Sequence, residues 1–361
     1  MGKDFKRLVK NIILFTSPVW VLAISYFVFD PFHVLRHYEA YPDNYLKSYN
    51  RNRIGTQIFL NNNDSLNYES FVFGSSRSSV FYTEDWSKYI NDPTPFHYDA
   101  SNEDIKGIYQ KLRFIDAQGN QIKNALLIFD GETFNPYVDH KESIIHIRDW
   151  RLSGQNRFLY HLQFFKAYFK ELYFLKYFDT LINGKYKPYM YGSFENKHML
   201  YTPVKNDFIF QGYIDQIKAD SSAYYARDLF YQRSEIEETA DPLIDQPEPK
   251  KEADSFIKKI ENTLSFEEKE KTDLDYLEGI KVIFEKHQTD YRIIFGPNYD
   301  QKKVNPQDLQ LVEELFDENR VFDFTGKNDL TEPLFNYYEI YHYKPVLARK
   351  ILNEIYSDSN Q

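Results

Sequence analysis

The sequence contains no cysteine among its 361 residues. This absence excludes disulfide bonds, thiolate metal sites and a cysteine nucleophile. It also suits a compartment outside the cytoplasm, where an unpaired thiol is a liability. An excess of positive charge is lacking too, because the net charge is −10 and no basic stripe with interleaved aromatic residues occurs beyond the first ten residues. A general role in nucleic-acid binding is therefore disfavoured.

A glycine-rich phosphate loop is also missing, because Gly131, Gly192, Gly212 and Gly296 are isolated from one another. Histidines do not follow a metal-binding pattern either. His140 and His146 are six positions apart, which fits neither a helical pair nor a known zinc spacing. We therefore expect no cofactor and no metal ion.

What remains is the composition of a folded protein, with 42% hydrophobic and 27% charged residues. The length suits one large domain or two small ones. The only long apolar run lies near the N-terminus, at 12–29, after the basic residues Lys3, Lys6, Arg7 and Lys10. A bilayer core needs about 17–25 helical residues, so this run is long enough to cross it. The basic flank predicts a single-pass anchor with the N-terminus in the cytoplasm and the bulk of the chain outside it.

A cleaved signal peptide and a buried helix are the alternatives to an anchor. The small residues of 23–25 offer a cleavage site, but they lie inside the apolar run and the apolar residues 26–29 follow them. A buried helix would not need the basic residues ahead of it. The sequence favours an uncleaved anchor.

The rest of the chain predicts an α/β domain. Apolar runs of strand length occur at 69–73, 96–98, 124–129, 291–295 and 320–324. Helical spacing of apolar residues occurs at 102–117, 274–287, 307–318 and 344–356. This order predicts a three-layer α/β/α domain.

The predicted domain organisation has three parts. Residues 1–31 form the cytoplasmic stub and the anchor, 32–65 form a juxtamembrane connector, and 66–361 form the α/β domain with a largely helical insertion at about 135–255. The insertion contains one strongly aromatic helix at 158–182, which either packs in the core or rests on the bilayer. An acidic, proline-rich stretch at 235–249 predicts an exposed loop at its end.

Two short motifs indicate chemistry. Gly74-Ser75-Ser76 follows the first predicted strand, and Glu339-Ile340-Tyr341-His342 precedes the last helix. A serine needs a base within hydrogen-bond reach and a third group that orients this base. Glu339 can orient His342 from the same loop. A serine at the edge of the sheet that starts a helix can also use backbone N–H groups for an oxyanion.

With these motifs the chain resembles the SGNH (GDSL-type) hydrolase superfamily, in the branch of membrane-anchored D-alanine-transfer (Dlt-like) and alginate-acetylation proteins. The resemblance covers about 68–130 and 290–356 and implies a flavodoxin-like fold. It implies that Ser76 is the nucleophile, His342 the base and Glu339 the orienting group. The oxyanion donors would be Ser76, Ser101 and Asn102, and Arg77 would bind an anionic group of the substrate or pair with a carboxylate.

The sequence departs from the family pattern at three positions. Ser75 replaces the usual Asp after the first glycine, Glu339 replaces the usual Asp of the last block, and Asp130-Gly131-Glu132 stands where Gly-x-Asn is expected. We predict that Asp130 and Glu132 cap or solvate a loop. These departures also suit a protein that has lost catalysis, and each motif alone is a short match that capping residues can produce.

The resemblance implies a serine acyltransferase or esterase at the outer face of a bacterial cytoplasmic membrane. It would work beside a membrane-bound O-acyltransferase and modify a cell-envelope polysaccharide or similar acceptor. Tethering to the membrane would raise the local concentration of such an enzyme near its partner. The alternatives are a catalytically inactive scaffold of an envelope assembly and a free-standing carbohydrate esterase.

Overall fold

Five parallel strands form the central sheet. They are β1 (Ser70–Gly74), β2 (Phe96–His97), β3 (Asn124–Phe129), β6 (Asp290–Phe295) and β7 (Val321–Asp323), in the order β2-β1-β3-β6-β7. Every neighbouring pair is parallel. The computed structural model describes residues 2–39, 41, 49–131, 133–134, 144–190, 194, 200–230, 239–244 and 272–357. The predicted α/β class and all five predicted strands are confirmed.

Side chains alternate between the two faces of this sheet, as the pleat of a strand requires. Phe71, Phe73 and Leu127 enter one apolar core, and Val72 and Leu126 enter the other. Helices cover both faces. They are α2 (Arg51–Leu66), α4 (Ile105–Ala117), α10 (Asp273–His287) and α11 (Pro306–Leu315) on the first side, and α3 (Thr83–Ile90) and α12 (Pro345–Ser357) on the second. The result is the predicted three-layer arrangement.

The predicted anchor is the helix α1 (Lys3–Phe29), which is long and apolar enough to cross a membrane over Phe5–Phe29. Most of its apolar side chains are exposed, whereas Tyr26 near its end is buried. The hydroxyl of Ser25 is 2.8 Å from that of Tyr168. The last turns of α1 therefore pack against the rest of the chain. The segment predicted as a connector contains α2, whose buried residues Ile54, Ile58 and Phe59 belong to the first core.

The middle region is largely helical where it is described, with α5 (Trp150–Ser153), α6 (Arg157–Phe169), α7 (Tyr173–Asn183), α8 (Gln211–Ala219) and α9 (Ser221–Tyr225). It also has a two-stranded sheet of β4 (Leu200–Tyr201) and β5 (Phe208–Ile209). Of the predicted loop at 235–249, residues 239–244 are described, and the rest lies outside the described residues. The backbone N–H groups of Leu243 and Ile244 donate to Asp308.

The prediction of one helix at 158–182 is wrong. The chain breaks at Glu171 and Leu172, whose φ angles are +51° and +56°. The break folds α6 and α7 into a hairpin, and both helices then contact the end of α1. Phe165 of α6 stacks on Phe27 at 6.0 Å between ring centroids. The break allows Phe165 and Phe178 to contact the end of α1, and such long-range contacts override helix propensity without leaving a local pattern.

Candidate active site

The turn after β1 holds the candidate nucleophile. Gly74 ends β1 with a φ of +151°, and a Cβ at this position would lie 2.7 Å from the carbonyl oxygen of Ile128. Only glycine fits this conformation and this close approach. The short 3-10 helix Ser76–Val80 then begins, and the hydroxyl of Ser75 accepts the backbone N–H of Arg77 at 3.2 Å. The turn thus directs Ser76 away from the sheet, and its side chain is partly exposed.

A hairpin at the other end of the chain brings the base to this serine. Strands β8 (Tyr337–Glu339) and β9 (His342–Tyr343) pair antiparallel. The hydroxyl of Ser76 donates to Nε2 of His342 at 2.8 Å, and Nδ1–H of His342 donates to the carboxylate of Glu339. Glu339 also accepts the backbone N–H of Tyr341 at 3.0 Å. Three residues that the sequence predicted as a triad therefore form one continuous hydrogen-bonded chain.

This constellation lies where open α/β sheets bind ligands. The chain runs from β1 to β2 on one side and then returns to β3 on the other side of β1. Parallel sheets bind ligands outside the carboxyl ends of their strands, at the point where the strand order reverses. Ser75 follows β1 and Asp130 follows β3 at this edge. The hydroxyl of Ser75 donates to Asp130, and both residues are buried.

The contact of Ser75 with Asp130 was missed at the level of the sequence, which assigned Asp130 to a loop. Asp130 does take part in the loop that follows β3, because its backbone N–H donates to Thr133 Oγ1 at 3.0 Å. The carboxylate, however, ties the turn of Ser76 to the neighbouring strand. The sequence contained a signal for this contact. Ser75 and Asp130 each follow a predicted strand, and polar residues that follow adjacent parallel strands meet at one edge of the sheet. Glu132 lies outside the described residues.

Arg77 holds the hairpin in place. Its Nε–H donates to the carbonyl oxygen of Tyr341 at 3.2 Å, and its terminal nitrogen donates to Asn298 Oδ1 at 2.5 Å. The first bond joins the serine turn to the loop of His342, and the second joins it to the segment after β6. They give Arg77 a positioning function, and anion binding by this residue stays a prediction.

Aromatic packing restricts the histidine from the other side. The ring of Phe210, just before α8, lies 4.9 Å from the ring of His342 between centroids. The hydroxyl of Tyr224 donates to the carbonyl oxygen of Tyr338 in β8. Burial lowers the pKa of Lys344, which follows the hairpin and contacts the hydroxyl of Tyr225. The middle region therefore supports the loop that holds His342.

The predicted oxyanion donors lie at the same edge of the sheet. The loop after β2 runs beside β1, where Tyr98 N–H donates to Val72 O at 2.8 Å and Ala100 N–H to Gly74 O at 3.3 Å. Ser101 and Asn102 come next, and the φ of Asn102 is +48°. The backbone N–H of Ser76 is the first of its helix and has no acceptor within that helix. In the described part of the chain no hydrogen bond joins Ser101 or Asn102 to Ser76, so their function stays a prediction.

A second serine and histidine lie behind the first pair. Ser78 Oγ is 3.2 Å from His97 Nε2, and His97 Nδ1 is 3.3 Å from Asp207. Both Ser78 and His97 are fully buried, and the hydroxyl of Ser78 already donates to the carbonyl oxygen of Ser75 at 2.7 Å. A substrate cannot reach this group. We interpret it as a support for the turn of Ser76.

A buried ion pair also lies beside the turn of Ser76. Arg51 of α2 pairs with Asp99, which also accepts from Ser79 Oγ at 3.1 Å. Burial acts to raise the pKa of Asp99, but Arg51, His97 and Lys111 outweigh it and hold this pKa below its ordinary value. The carboxylate is therefore charged and paired, which excludes Asp99 as a proton carrier near neutral pH.

The described residues contain no group of three His, Asp or Glu side chains that could hold a metal ion. His146, one of the two histidines considered above, is 3.1 Å from the carbonyl oxygen of Ser101, and His140 lies outside the described residues. The site is thus a partly exposed hydroxyl, an imidazole and a carboxylate at the carboxyl edge of a parallel sheet. No protein-family model and no curated protein matches the sequence.

Proposed function

We propose that this chain is a membrane-anchored serine acyltransferase or esterase of the SGNH type. The observation that supports it most is the hydrogen-bonded series from Ser76 through His342 to Glu339. Ser76 and His342 are both partly exposed, whereas Ser78 and His97 are not. Of these two pairs, the first is therefore the one open to a substrate.

The chemistry follows from the hydrogen bonds. His342 accepts the proton of Ser76 while the serine oxygen attacks the acyl carbonyl. Glu339 keeps the Nδ1–H tautomer and stabilises the imidazolium that forms. His342 returns the proton to the leaving group, which leaves an ester on Ser76. A sugar hydroxyl or water then attacks this ester through the same base, which gives transfer or hydrolysis.

The apolar helix α1 supports a function at a membrane surface. As an anchor it places the N-terminus in the cytoplasm and the site outside, because its basic residues lie at its N-terminal end. The packing of Tyr26 and Ser25 against the folded chain favours an anchor that is not cleaved. The acceptor would be an envelope polysaccharide or a similar hydroxyl compound, and a membrane-bound O-acyltransferase would supply the acyl group.

A fluorophosphonate probe tests the proposal, because it reacts with an activated serine. The full chain in detergent is compared with Ser76→Ala and His342→Ala. Ser87→Ala is the matched control, because Ser87 is a partly exposed serine that donates to Glu84 O in α3. We expect labelling of the wild type and of the control, and loss of labelling in both site variants.

Other labelling results would distinguish the acyltransferase from a scaffold and from a free-standing esterase. If the folded wild type is not labelled, the site is not active by itself, and the chain is a scaffold or needs a membrane partner. If Ser76→Ala is still labelled, another serine reacts and the assignment is wrong. Release of free acetate from an acetylated glycan without a partner would favour the esterase.

A further inference from the structure

A basic cavity of about 190 Å³ lies outside the candidate active site. It is open to the surface and is lined by the segment after α1 and by α2, α5 and α6. Its polar lining includes four arginines and two histidines, namely Arg36, His37, Arg53, Arg151, Arg157 and His161. None of these residues takes part in the chemistry proposed for Ser76.

The positive charge of this cavity is only partly balanced. Asp149 is fully buried and accepts from Arg53 at 3.2 Å and from Arg151 at 2.8 Å. Arg36 donates to the carbonyl oxygens of Phe27 and Val28 at 3.0 and 2.7 Å. Carbonyl groups accept hydrogen bonds but do not neutralise a charge.

Arg157 is exposed, and its guanidinium lies 5.5 Å from the centroid of the Trp150 ring. Among the described residues, the other buried carboxylate in this region is that of Asp30, which accepts the backbone N–H groups of Val34, Leu35 and Arg36. Among the described residues, these two carboxylates do not balance the four guanidinium groups, so an excess of positive charge remains.

Two nitrogen atoms in the lining have no hydrogen-bond partner among the described residues. They are Nε of Arg53, a residue that is 8% exposed, and Nδ1 of His161. The Nε–H of Arg53 is a buried donor without an acceptor in the described part of the chain, which costs about 1–3 kcal/mol and more for a charged group. Burial, Arg157 and Arg53 also lower the pKa of His161. An anion would supply acceptors and the missing negative charge.

The size and the donors of the cavity indicate which anion fits. Sites for drug-sized molecules enclose about 300–1,000 Å³, so this one suits a group as small as a phosphate. Guanidinium groups bind phosphate oxygens in pairs and are favoured where phosphate is recognised.

The cavity also lies at the end of the apolar helix. Four lining residues, from Val34 to His37, follow α1 by a few positions, and α6 contributes Arg157 and His161. The partner of α6 in the hairpin, α7, exposes Leu175, Leu181 and Ile182 to solvent, as does Leu172 just before it. These features put the cavity beside the surface at which a spanning α1 would leave the bilayer.

We propose that this cavity binds a phosphoryl group, either the headgroup of an anionic membrane lipid or free phosphate. The proposal does not depend on the function of Ser76. The test uses the full chain in zwitterionic detergent and measures the thermal shift with inorganic phosphate. Native mass spectrometry then measures retention of phosphatidylglycerol against phosphatidylcholine.

Arg157→Gln is the test variant, because Arg157 is exposed and its loss should not unfold the chain. Arg113→Gln on α4 is the matched control, because Arg113 lies 5.6 Å from the Tyr109 ring in a similar stack. Melting without phosphate checks that both variants fold. We expect the affinity of Arg157→Gln for phosphate to fall about tenfold or more relative to the wild type and the control.

Retention of phosphatidylglycerol that phosphate displaces would support the lipid headgroup. Saturable binding of phosphate without lipid retention would support free phosphate and exclude the headgroup. The proposal is overturned if the wild type shows neither saturable phosphate binding nor a preference for the anionic lipid. It is also overturned if the two glutamine variants bind phosphate equally.

Discussion

At the scale of single residues, the orientation of His342 depends on a few short contacts. Glu339 accepts from its ring nitrogen and from the backbone of the same loop, and Arg77 fastens that loop to the serine turn. A carboxylate is needed here for two reasons. It selects the tautomer whose Nε2 can accept the proton of Ser76, and its charge stabilises the imidazolium.

Glu339→Gln tests this function. The amide keeps the shape but loses the charge, so we expect the rate of fluorophosphonate labelling to fall about 10²- to 10⁴-fold, as when the orienting carboxylate of a serine triad is replaced. Glu332→Gln, the same change in a nearby glutamate that pairs with Lys327, should label like the wild type. Unchanged labelling of Glu339→Gln would remove Glu339 from the mechanism.

Gly74 provides a test of the serine turn. Alanine there combines backbone strain with a close contact to Ile128 O, so we expect the free energy of unfolding to drop by about 2 kcal/mol or more, together with loss of labelling. Gly119→Ala separates the two effects, because Gly119 has a φ of +86° but open space around its Cβ position. Urea unfolding of both variants measures the difference, and equal losses would mean that the close contact contributes nothing.

At the scale of elements, the α6 and α7 hairpin extends the apolar surface of α1. Phe165 and Phe178 contact Phe27 and Phe29 at the end of the helix. Ile182 on α7 is 80% exposed and Leu175 is 51% exposed. Apolar side chains of this size next to a spanning helix gain free energy if they enter the lipid.

We therefore expect α7 to lie at the membrane–water interface, with its exposed apolar side chains in contact with lipid. The chain has no cysteine, so single cysteines can carry a nitroxide label at Leu175, at Ile182 and at Val282 as the control, a position on α10 that is 62% exposed. In liposomes, the labels on α7 should be more accessible to oxygen than to a water-soluble nickel complex, and the control should show the reverse. Water accessibility at both α7 positions would exclude contact with lipid.

At the scale of the whole molecule, two buried ion pairs lie on the side of the first core. Arg51 of α2 meets Asp99 beside β1 and joins a helix to the sheet, and Lys111 of α4 pairs with Glu103 just before the same helix. Replacing one member of such a pair leaves a buried charge without its partner, which costs about 3–5 kcal/mol. Exposed pairs, such as that of Asp116 with Lys286, contribute less than about 1 kcal/mol.

Acid unfolding tests this contrast. The pKa of Asp99 is lower in the folded chain than the ordinary value of 3.8, so its contribution is present above pH 3.8 and is lost as the pH falls through the folded pKa. At neutral pH we expect Asp99→Asn to be less stable than the wild type by about 3 kcal/mol or more. The two should converge only once the pH has fallen below the folded-state pKa of Asp99, where Asp99 is also neutral.

Asp116→Asn is the control for this experiment, because hydrogen bonds from Lys286 and His287 also lower the pKa of Asp116 at the surface. Chemical unfolding at several pH values should show a small loss for this variant throughout. A loss as large as that of Asp99→Asn would contradict the importance of burial.

The sequence by itself determined the secondary structure of the sheet layers, the apolar N-terminal helix and the two motifs of the candidate site. These features are local, because burial on one or both faces of a strand or helix leaves a periodic pattern of apolar residues. Only the tertiary structure decided which distant groups meet. Ser76 and His342 are 266 positions apart, and Ser75 and Asp130 are 55 positions apart. The break between α6 and α7 and the cavity of arginines from four segments depend on packing between elements, which no local pattern records.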